Sequence, residues 1–427
     1  MGSFSIPVSG LAASQDQLQS VSNNLANIDT DGYKDQNLTF SDIFLQTGAT
    51  NGAGNPLQTG YGVSVASSVS NFTEGSLNPT GTASNMALSG NGFFVTQGAG
   101  GQQDYTRAGD FTTNNAGQIT TPNGELLLGY PAVNGVVNAS GTLQPLQVGS
   151  ANSPAVASTT MQITANLDAS SAVGDTATST LPVYDSLGTA HTLSVTYTMT
   201  APGSWSYAVT VPSSDLTPPG TGATTAVGSG TLNFNSSGML TSSQATGASA
   251  TTPPSAGITL SIPPTGTTFA DGAAPMSVNW ALQTADNSTI TQTATASGTS
   301  GTSTNGFASG TLASYTVQPD GTVEGVFTSG ATAALGQVAV ASFANAQGLA
   351  NTGNNNYQPT SASGSAVIGE AGTGGRGTVV GGSVEESNVN IATEFAKLIV
   401  AQQAYSANAK SITTFNQISQ ATIAMLQ

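Results

Sequence analysis

The sequence predicts a multidomain α+β protein. Helices at its two termini form a discontinuous coiled coil, and the middle folds into mainly β domains of sandwich or barrel type. Three observations predict this fold class. Apolar residues recur every seven positions near both ends of the chain, and polar and apolar residues alternate between turn dipeptides in the middle. The third is the content of turn-forming residues, 52 Gly and 19 Pro among 427.

The charge balance excludes several classes of protein. The chain has 21 Asp and Glu against 5 Lys and Arg, a formal net charge of −16. Five cations cannot form the basic surface that nucleic acids or anionic membranes require, so neither partner is expected. The absence of Cys and the single His also exclude disulfides, zinc–thiolate sites and cysteine nucleophiles. These exclusions favour a structural or interaction protein.

The N-terminus lacks the pattern of a secretory leader. A leader begins with a cationic region, whereas the first Lys or Arg here is Lys34. No apolar run approaches the roughly 20 residues that a transmembrane helix needs. We therefore expect any export to use a route without a conventional cleaved leader.

The first predicted helix runs from Gly10 to Ile28 and ends at the turn residues Asp29 to Gly32. Its apolar residues follow a heptad spacing that produces one narrow seam, as in a coiled coil. A helix of about 20 residues with only this seam is marginal alone, so it needs a partner. The seam residues are Leu11, Leu18, Val21, Leu25 and Ile28.

The predicted partner is a C-terminal helix of about 40 residues that begins at a capping box, Ser383-x-x-Glu386. Acidic residues at 385 and 386 are attributed to its N-terminal dipole. Its seven-residue stripe contains Val384, Ile391, Leu398, Tyr405, Ile412, Ser419 and Leu426, with Phe395, Gln402, Ala409, Asn416 and Ile423 four positions later. We expect the two helices to pair. The polar seam residues favour lateral packing against neighbouring copies, and full order is expected only on assembly.

The middle of the chain reads as strands and turns. Asn123-Gly124, Asn134-Gly135 and Asp320-Gly321 are hairpin dipeptides. Residues His191 to Thr198 alternate polar and apolar side chains, as a half-buried strand does.

Composition shifts suggest the domain boundaries. A junction rich in Ser, Pro and Thr covers Ala151–Thr160, low complexity returns at Ala296–Asn305, and the Gly-rich segment Gly364–Gly382 leads back to the C-terminal helix. The predicted division is 1–33 with 383–427 (paired helices), 34–70 with 364–382 (connecting region), 71–150 with 306–363 (a discontinuous β domain) and 151–305 (an inserted outer β domain).

Candidate catalytic chemistry is weak. His191 is the only imidazole, with Asp185 the one neighbouring carboxylate in sequence, and we interpret it as structural. Asp29 to Gly32 resembles a fragment of a calcium loop but lacks its other ligands, so a turn is the better interpretation. We predict no catalytic residue, metal or cofactor, although carboxylate pairs that meet only in space leave glycoside hydrolysis open.

Several sequence blocks, in order, resemble bacterial flagellar rod and hook proteins. Residues Leu181 to His191 resemble the insertion domain of the hook branch, which favours hook over distal rod. The other blocks are Ser22–Asn27 (SNNLAN), Thr30–Lys34, Ser89–Val95, Tyr105–Phe111, Leu128–Tyr130, Gly348–Leu349, Glu386–Val389 and Gln402–Lys410.

The resemblance implies an extracellular structural subunit that polymerises into a helical tube, curved and flexible, joining rod to filament. Its implied partners are further copies of itself, the flagellar rod, the hook cap, the hook–filament junction proteins and the type III export apparatus. A distal rod subunit, a secreted β-rich adhesin and a polysaccharide-degrading enzyme are the alternatives. The candidate assembly residues are Leu11, Leu18, Val21, Asn23, Asn24, Leu25, Asn27, Ile28, Ile391, Phe395, Leu398, Tyr405 and Ile412.

Four positions depart from the family pattern. Asn85, Asn390 and Gln403 stand where relatives commonly carry Asp, Asp and Arg, and Ala346 stands where Pro is common. Three of the four replace a charge with an amide. Because copies of an acidic chain repel one another, this depletion predicts assembly that depends little on salt.

Overall fold

A computed structural model describes residues 4–50, 56–133, 135–149, 151–246, 257–283 and 288–425. The chain forms two compact units. Unit 1 comprises Met1–Ala151, Ser314–Gly325 and Ala333–Gln427, and unit 2 comprises Asn152–Ala313 and Val326–Thr332. Two long helices near the termini and a mainly β middle confirm the predicted fold class. The four-part domain division stays a prediction.

The helices are α1, Ser5–Ala26, and α2, Ile391–Met425. Strands β1 to β11 are Gln36–Thr50, Pro56–Ser70, Leu77–Pro79, Met86–Ser89, Phe93–Gln97, Gln103–Thr106, Thr112–Thr113, Ile119–Thr120, Leu126–Val133, Val136–Val137 and Gln144–Pro145. Strands β12 to β24 are Asn152–Ser153, Thr160–Asp168, Thr176–Tyr184, Ala190–Ala201, Ser204–Pro212, Leu216–Thr217, Thr224–Phe234, Leu240–Ala245, Ile258–Ile262, Thr268–Phe269, Met276–Ala281, Ile290–Thr293 and Gly298–Thr304. Strands β25 to β32 are Gly310–Val317, Thr322–Phe327, Thr332–Ser342, Ala350–Gly353, Asn356–Gln358, Val367–Glu370, Thr378–Gly381 and Ser383–Glu385. Short 3₁₀ helices cover Ser213–Asp215 and Ala346–Gly348.

Unit 1 contains the two helices, a long hairpin and an antiparallel sheet. The hairpin pairs β1 with β2, and the sheet runs β27-β9-β5-β6-β29-β28. Aromatic rings pack edge to face in its core, with Phe93 5.2 Å from Phe72 and Tyr105 4.9 Å from Phe343. Such pairs stabilise beyond the area they bury.

Unit 2 is built from two five-stranded sheets that share one apolar core. One sheet has the order β14-β15-β16-β18-β19, and the other has β20-β22-β13-β23 with β24 on the free side of β13. Buried residues alternate with outward ones along β15, which confirms the strand predicted from residue 191 onward. Both tryptophans, Trp205 and Trp280, are completely buried in this core.

The first helix is shifted from its prediction. It begins at Ser5 rather than Gly10 and ends at Ala26, so Ile28 lies in the turn that follows. Gly32 closes that turn at φ +70°. A Cβ there would come within 2.4 Å of the Ala108 backbone nitrogen, so the segment serves as a tight turn.

The predicted capping box is wrong. Residues Ser383–Glu385 form β32, which pairs with β3, and α2 begins only at Ile391 with 35 residues. The helix start is capped instead by Asn390, whose Oδ1 accepts a hydrogen bond from the Thr393 backbone N–H at 3.1 Å. Because strand pairing occupies 383–385, the acidic residue at 385 has no role at the helix N-terminus.

The predicted hairpin turns occur at Gly124 and Gly321, which have φ of +87° and +84°. Asn134 of the third dipeptide lies outside the described residues. The low-complexity segment near 300 forms strand β24 within unit 2. Among the described residues, neither helix combines the length and apolarity needed to cross a bilayer.

Candidate assembly interface

The two terminal helices pack against each other in antiparallel orientation. Val21 of α1 and Ala401 of α2 are buried. Phe4, at the start of α1, lies 6.0 Å from Phe415, near the end of α2. A Cβ on Gly10 would come within 2.8 Å of the Asn408 side chain, so glycine permits a close approach there.

The structure distributes the candidate assembly residues over both sides of this pair. Those buried are Val21 and Asn24; those half-buried are Leu11, Leu18, Leu25, Asn27, Ile28, Leu398 and Ile412; those exposed are Asn23, Ile391, Phe395 and Tyr405.

The predicted seam of α2 is therefore wrong in part, because Ile391 and Tyr405 are exposed in the single subunit and are not covered by α1. The face of α2 that is most covered contains Glu394, Leu398 and Ala401. Ile391 and Phe395 are each 51% exposed, because the helix carries more apolar residues than α1 can cover. Their part in assembly stays a prediction.

Asn24 joins three elements through its buried amide. Its Nδ2 donates to Glu394 Oε2 of α2 at 3.1 Å and to the Gln36 carbonyl of β1 at 3.0 Å. Its Oδ1 accepts from the Gln36 N–H at 3.0 Å and from the Tyr33 hydroxyl at 3.1 Å. The middle asparagine of the SNNLAN block thus fixes the end of α1 to both α2 and the hairpin.

A buried ion-pair network lies where the helices meet the β structure. Lys34 Nζ is 2.5 Å from Glu385 Oε1, and Arg107 Nη1 is 3.3 Å from Glu385 Oε2. The Glu385 side chain is fully buried, and the two cations are buried almost as completely. Lys34 also donates to the Thr73 carbonyl at 2.7 Å.

Burial costs this network part of its electrostatic gain. Desolvation lowers the pKa of Lys34, while the Glu385 carboxylate opposes that change. Arg107 donates to the Leu88 and Gly90 carbonyls at 3.3 and 2.6 Å, and its Nε has no partner among the described residues. Because a buried pair must first be desolvated, its main contribution here is to fix position.

Asn388 joins the segment before α2 to two other segments of unit 1. Its Oδ1 accepts from the Asp35 N–H at 2.8 Å, and its Nδ2 donates to the Asn71 carbonyl at 2.8 Å. Three passages of the chain, residues 33–36, 71–75 and 385–388, are therefore fastened together, and we call them the junction. The junction ties the helix pair to the β structure of unit 1.

The junction was not predicted from the sequence, although one feature of the composition pointed to it. The chain has only five Lys and Arg, and three of them, Lys34, Arg107 and Lys397, lie here or at the adjoining start of α2. Lys397 Nζ pairs with Glu394 Oε1 at 2.6 Å and donates to Asn37 Oδ1 at 2.9 Å. Three of the five cations thus lie where distant segments of the chain are joined.

The helices expose an unusually large set of apolar side chains. Single exposed apolar residues are ordinary, whereas contiguous ones mark a surface that another protein covers. The exposed large apolar residues of α1, its start and α2 are Phe4, Ile6, Val8, Ile391, Phe395, Ile399, Val400, Tyr405, Phe415, Ile418, Ile423 and Met425.

His191 lies in unit 2 and is 3% exposed. The expectation that Asp185 is its one carboxylate neighbour is wrong, because Asp215 and Asp271 also lie beside it. Asp215 is 24 residues away in sequence, on the 3₁₀ helix. Nothing in the local pattern around residue 191 indicates that contact.

Comparison with protein families matches most of the chain. Residues 5–34 match a flagella basal body rod protein family, 87–169 the flagellar hook protein FlgE/F/G D1 domain, 152–307 the flagellar basal body protein FlaE D2 domain, and 380–425 the flagellar basal body rod FlgEFG protein C-terminal family.

Whole proteins match over nearly their full length. The flagellar hook protein FlgE of Escherichia coli K12 is 33% identical over 97% of this chain and 98% of its own. That of Salmonella typhimurium is 34% identical with the same coverage. That of Borreliella burgdorferi is 32% identical over 97% of both chains.

Proposed function

The chain belongs to the flagellar hook protein family, and we propose that it forms the tube of the hook by self-assembly through its terminal helices. The protein is a structural subunit of the extracellular hook. Hook proteins match this chain over nearly its whole length, which supports the hook subunit over the distal rod and the adhesin.

The exposed apolar surface of α1 and α2 carries the proposal. The two helices cover only part of each other, and the junction holds them in a defined position on unit 1. Burying the remaining apolar area would stabilise contacts between copies by about 25 cal/mol per Å². A second copy of the same helix pair supplies an apolar surface of the same kind.

The hairpin of β1 and β2 offers a second contact surface. It packs against α1, where Ser9 Oγ accepts a hydrogen bond from the Val63 N–H at 3.2 Å. Its outer side exposes Phe40, Phe44 and Tyr61. We propose that neighbouring subunits cover these side chains together with the helices.

Bending of the tube requires contacts that can be exchanged. Thr176, Thr178 and Thr180 on the outward face of β14 are exposed and uncharged. Such hydroxyl surfaces can replace one hydrogen-bond partner with another, or with water, at small net cost. We propose that unit 2 supplies these exchangeable contacts while the helix pairs carry torque. Further proposed partners are the flagellar rod, the hook cap, the proteins between hook and filament, and the type III export apparatus.

Electron microscopy of the purified, assembled chain tests the proposal. We expect curved tubes whose curvature varies from one to the next, because the proposed contacts of unit 2 are exchangeable. Straight tubes of uniform stiffness would favour a rod subunit, and particles that remain monomeric at high concentration would contradict self-assembly. Truncation of the chain before α2 is expected to abolish tubes.

Assembly is expected to depend little on salt. Three of the five cations are already paired inside one subunit, so few remain for ion pairs between copies. We expect the critical concentration to change by less than about threefold between roughly 0.05 and 0.5 M NaCl. This limit includes the effect of salt on the repulsion between acidic subunits. Sedimentation of polymer across this range measures it, and a change of tenfold or more would contradict the prediction.

A further inference from the structure

Both ring nitrogens of His191 face carboxylates. Its Nε2 lies 3.0 Å from Asp185 Oδ2, and its Nδ1 lies 3.0 Å from Asp215 Oδ2. Asp185 is completely buried, and the Asp215 side chain is 24% exposed. An oxygen of a third carboxylate, from the exposed residue Asp271, lies within 4.8 Å of the Asp185 and His191 atoms.

These contacts join four separate segments of unit 2. Asp185 lies in the turn between β14 and β15, His191 on β15, Asp215 on the 3₁₀ helix, and Asp271 between β21 and β22. Phe269 of β21 stacks on the imidazole at 4.4 Å with the rings 22° apart, so that element presents an uncharged face. The cluster therefore connects β14 and β15 of one sheet with the segment that leads into β22 of the other.

The arrangement demands a protonated imidazole. A neutral imidazole has one N–H donor and one lone pair, whereas the imidazolium has two donors. Two ionised carboxylates at hydrogen-bond distance can both be satisfied only by the imidazolium. The Asp185 carboxylate also accepts the backbone N–H groups of Leu187 and Thr189 at 2.8 and 2.9 Å.

The ionised state of Asp185 agrees with its surroundings. Burial raises its pKa, but hydrogen bonds from the His191 ring and from the backbone N–H groups of Thr189 and Leu187 act in the opposite direction, and the net pKa is lowered. Asp185 thus remains a charged acceptor throughout the neutral range. Removing the imidazole proton would place a nitrogen lone pair against one of the two carboxylates.

The composition of unit 2 leaves the imidazole as its one basic group. Residues 152–313 and 326–332 contain no Lys, Arg, Cys or Glu, so His191 is the only basic side chain in the unit. Free aspartates titrate near pH 4 and free tyrosines near pH 10, and burial raises the pKa of Tyr207 to about 12. Imidazole is the one side-chain type in unit 2 whose ordinary pKa lies between those of the aspartates and the tyrosines.

We propose that His191 is a proton-dependent lock, which means that unit 2 is more stable while a protonated imidazole bridges Asp185 and Asp215 and less stable when the imidazole is neutral. In the folded unit the proton provides the second N–H donor for the two carboxylates, whereas the unfolded chain has no such contact. The stabilisation is therefore present while the imidazole is protonated and is lost when rising pH removes that proton. Below about pH 4 it is lost again, because the carboxylates become protonated.

Thermal unfolding of the full chain, followed by tryptophan fluorescence, tests the lock. Trp205 and Trp280 are the only tryptophans and both are buried in unit 2, so the signal reports this unit alone. We expect the midpoint to fall by about 4–8 °C between roughly pH 6 and pH 9. The single His also gives one set of ring NMR signals, which follows the proton directly.

Two variants separate the lock from general pH effects. His191→Gln cannot titrate and should show a lower midpoint that no longer changes over this range. Asp215→Asn offers the neutral imidazole an N–H donor, so it should fold at pH 9 and lose most of the pH dependence. A wild-type midpoint that is constant from pH 6 to pH 9, or an equal fall in His191→Gln, would overturn the proposal.

Discussion

Replacing Glu385 with glutamine is expected to lower the free energy of unfolding of unit 1 by about 3–5 kcal/mol. The amide keeps the size of the side chain but leaves Lys34 and Arg107 as buried cations without a counter-charge. Desolvation already lowers the pKa of Lys34, and the variant removes the carboxylate that opposes this change most strongly. The loss should be seen as a lower midpoint of chemical unfolding and as faster amide exchange in the junction.

Two further variants give this prediction its controls. Glu386 is adjacent but exposed, so Glu386→Gln should change stability by no more than about 0.5 kcal/mol. Adding Lys34→Met to Glu385→Gln removes one uncompensated charge and should recover part of the lost stability. If Glu385→Gln unfolds at the same denaturant concentration as the wild type, the network does not hold the junction.

The position of Glu385 illustrates what local sequence reasoning can and cannot reach. A Ser-x-x-Glu pattern before an apolar stripe is a valid local signal for a helix start. Here it is overridden by partners 351 and 278 residues away in the chain, Lys34 and Arg107. Propensity and spacing describe neighbours in sequence, whereas β32 and its ion pairs are determined by contacts that only the fold brings together.

The helices show the same limit in another form. Heptad spacing correctly predicted two long terminal helices that pair, because periodicity reports which residues share a face. It could not decide which face of α2 meets α1, since that helix also carries apolar residues such as Ile399 and Ile418 on its other sides. The helix α2 carries apolar residues on several sides, and only one of these sides is covered within the subunit.

Strand prediction succeeded where one face is buried. The alternation after His191 identified β15 because its inward residues fill the core of unit 2. The same residues gave no indication of Asp215, whose carboxylate reaches the imidazole from a different segment. Pattern analysis thus located the strand, but the two-sided hydrogen bonding of its histidine required the structure.

The second large expected effect is on assembly, and it follows from the apolar side chains that α2 leaves exposed. Phe395 of α2 is 51% exposed in the single subunit. Phe395→Ser should leave the monomer folded but lower its free energy of unfolding by about 2 kcal/mol, because the other half of the ring is buried within the subunit. If neighbouring subunits bury this ring, the variant loses about 2–3 kcal/mol per contact in the tube. The critical concentration for assembly should then rise on the order of 100-fold.

Val173 provides the control, because it is 68% exposed and belongs to a turn of unit 2 rather than to either helix. Val173→Ser removes a comparable exposed apolar side chain and should leave the critical concentration within about twofold of the wild type. Pelleting of polymer grown from sheared wild-type seeds measures both variants under one condition, and far-ultraviolet circular dichroism of the monomers verifies that the helices are retained. Equal effects in the two variants, or none in either, would show that assembly does not depend on this face of α2. A large effect in Phe395→Ser alone would assign to polymer contacts the apolar surface that a single subunit leaves open.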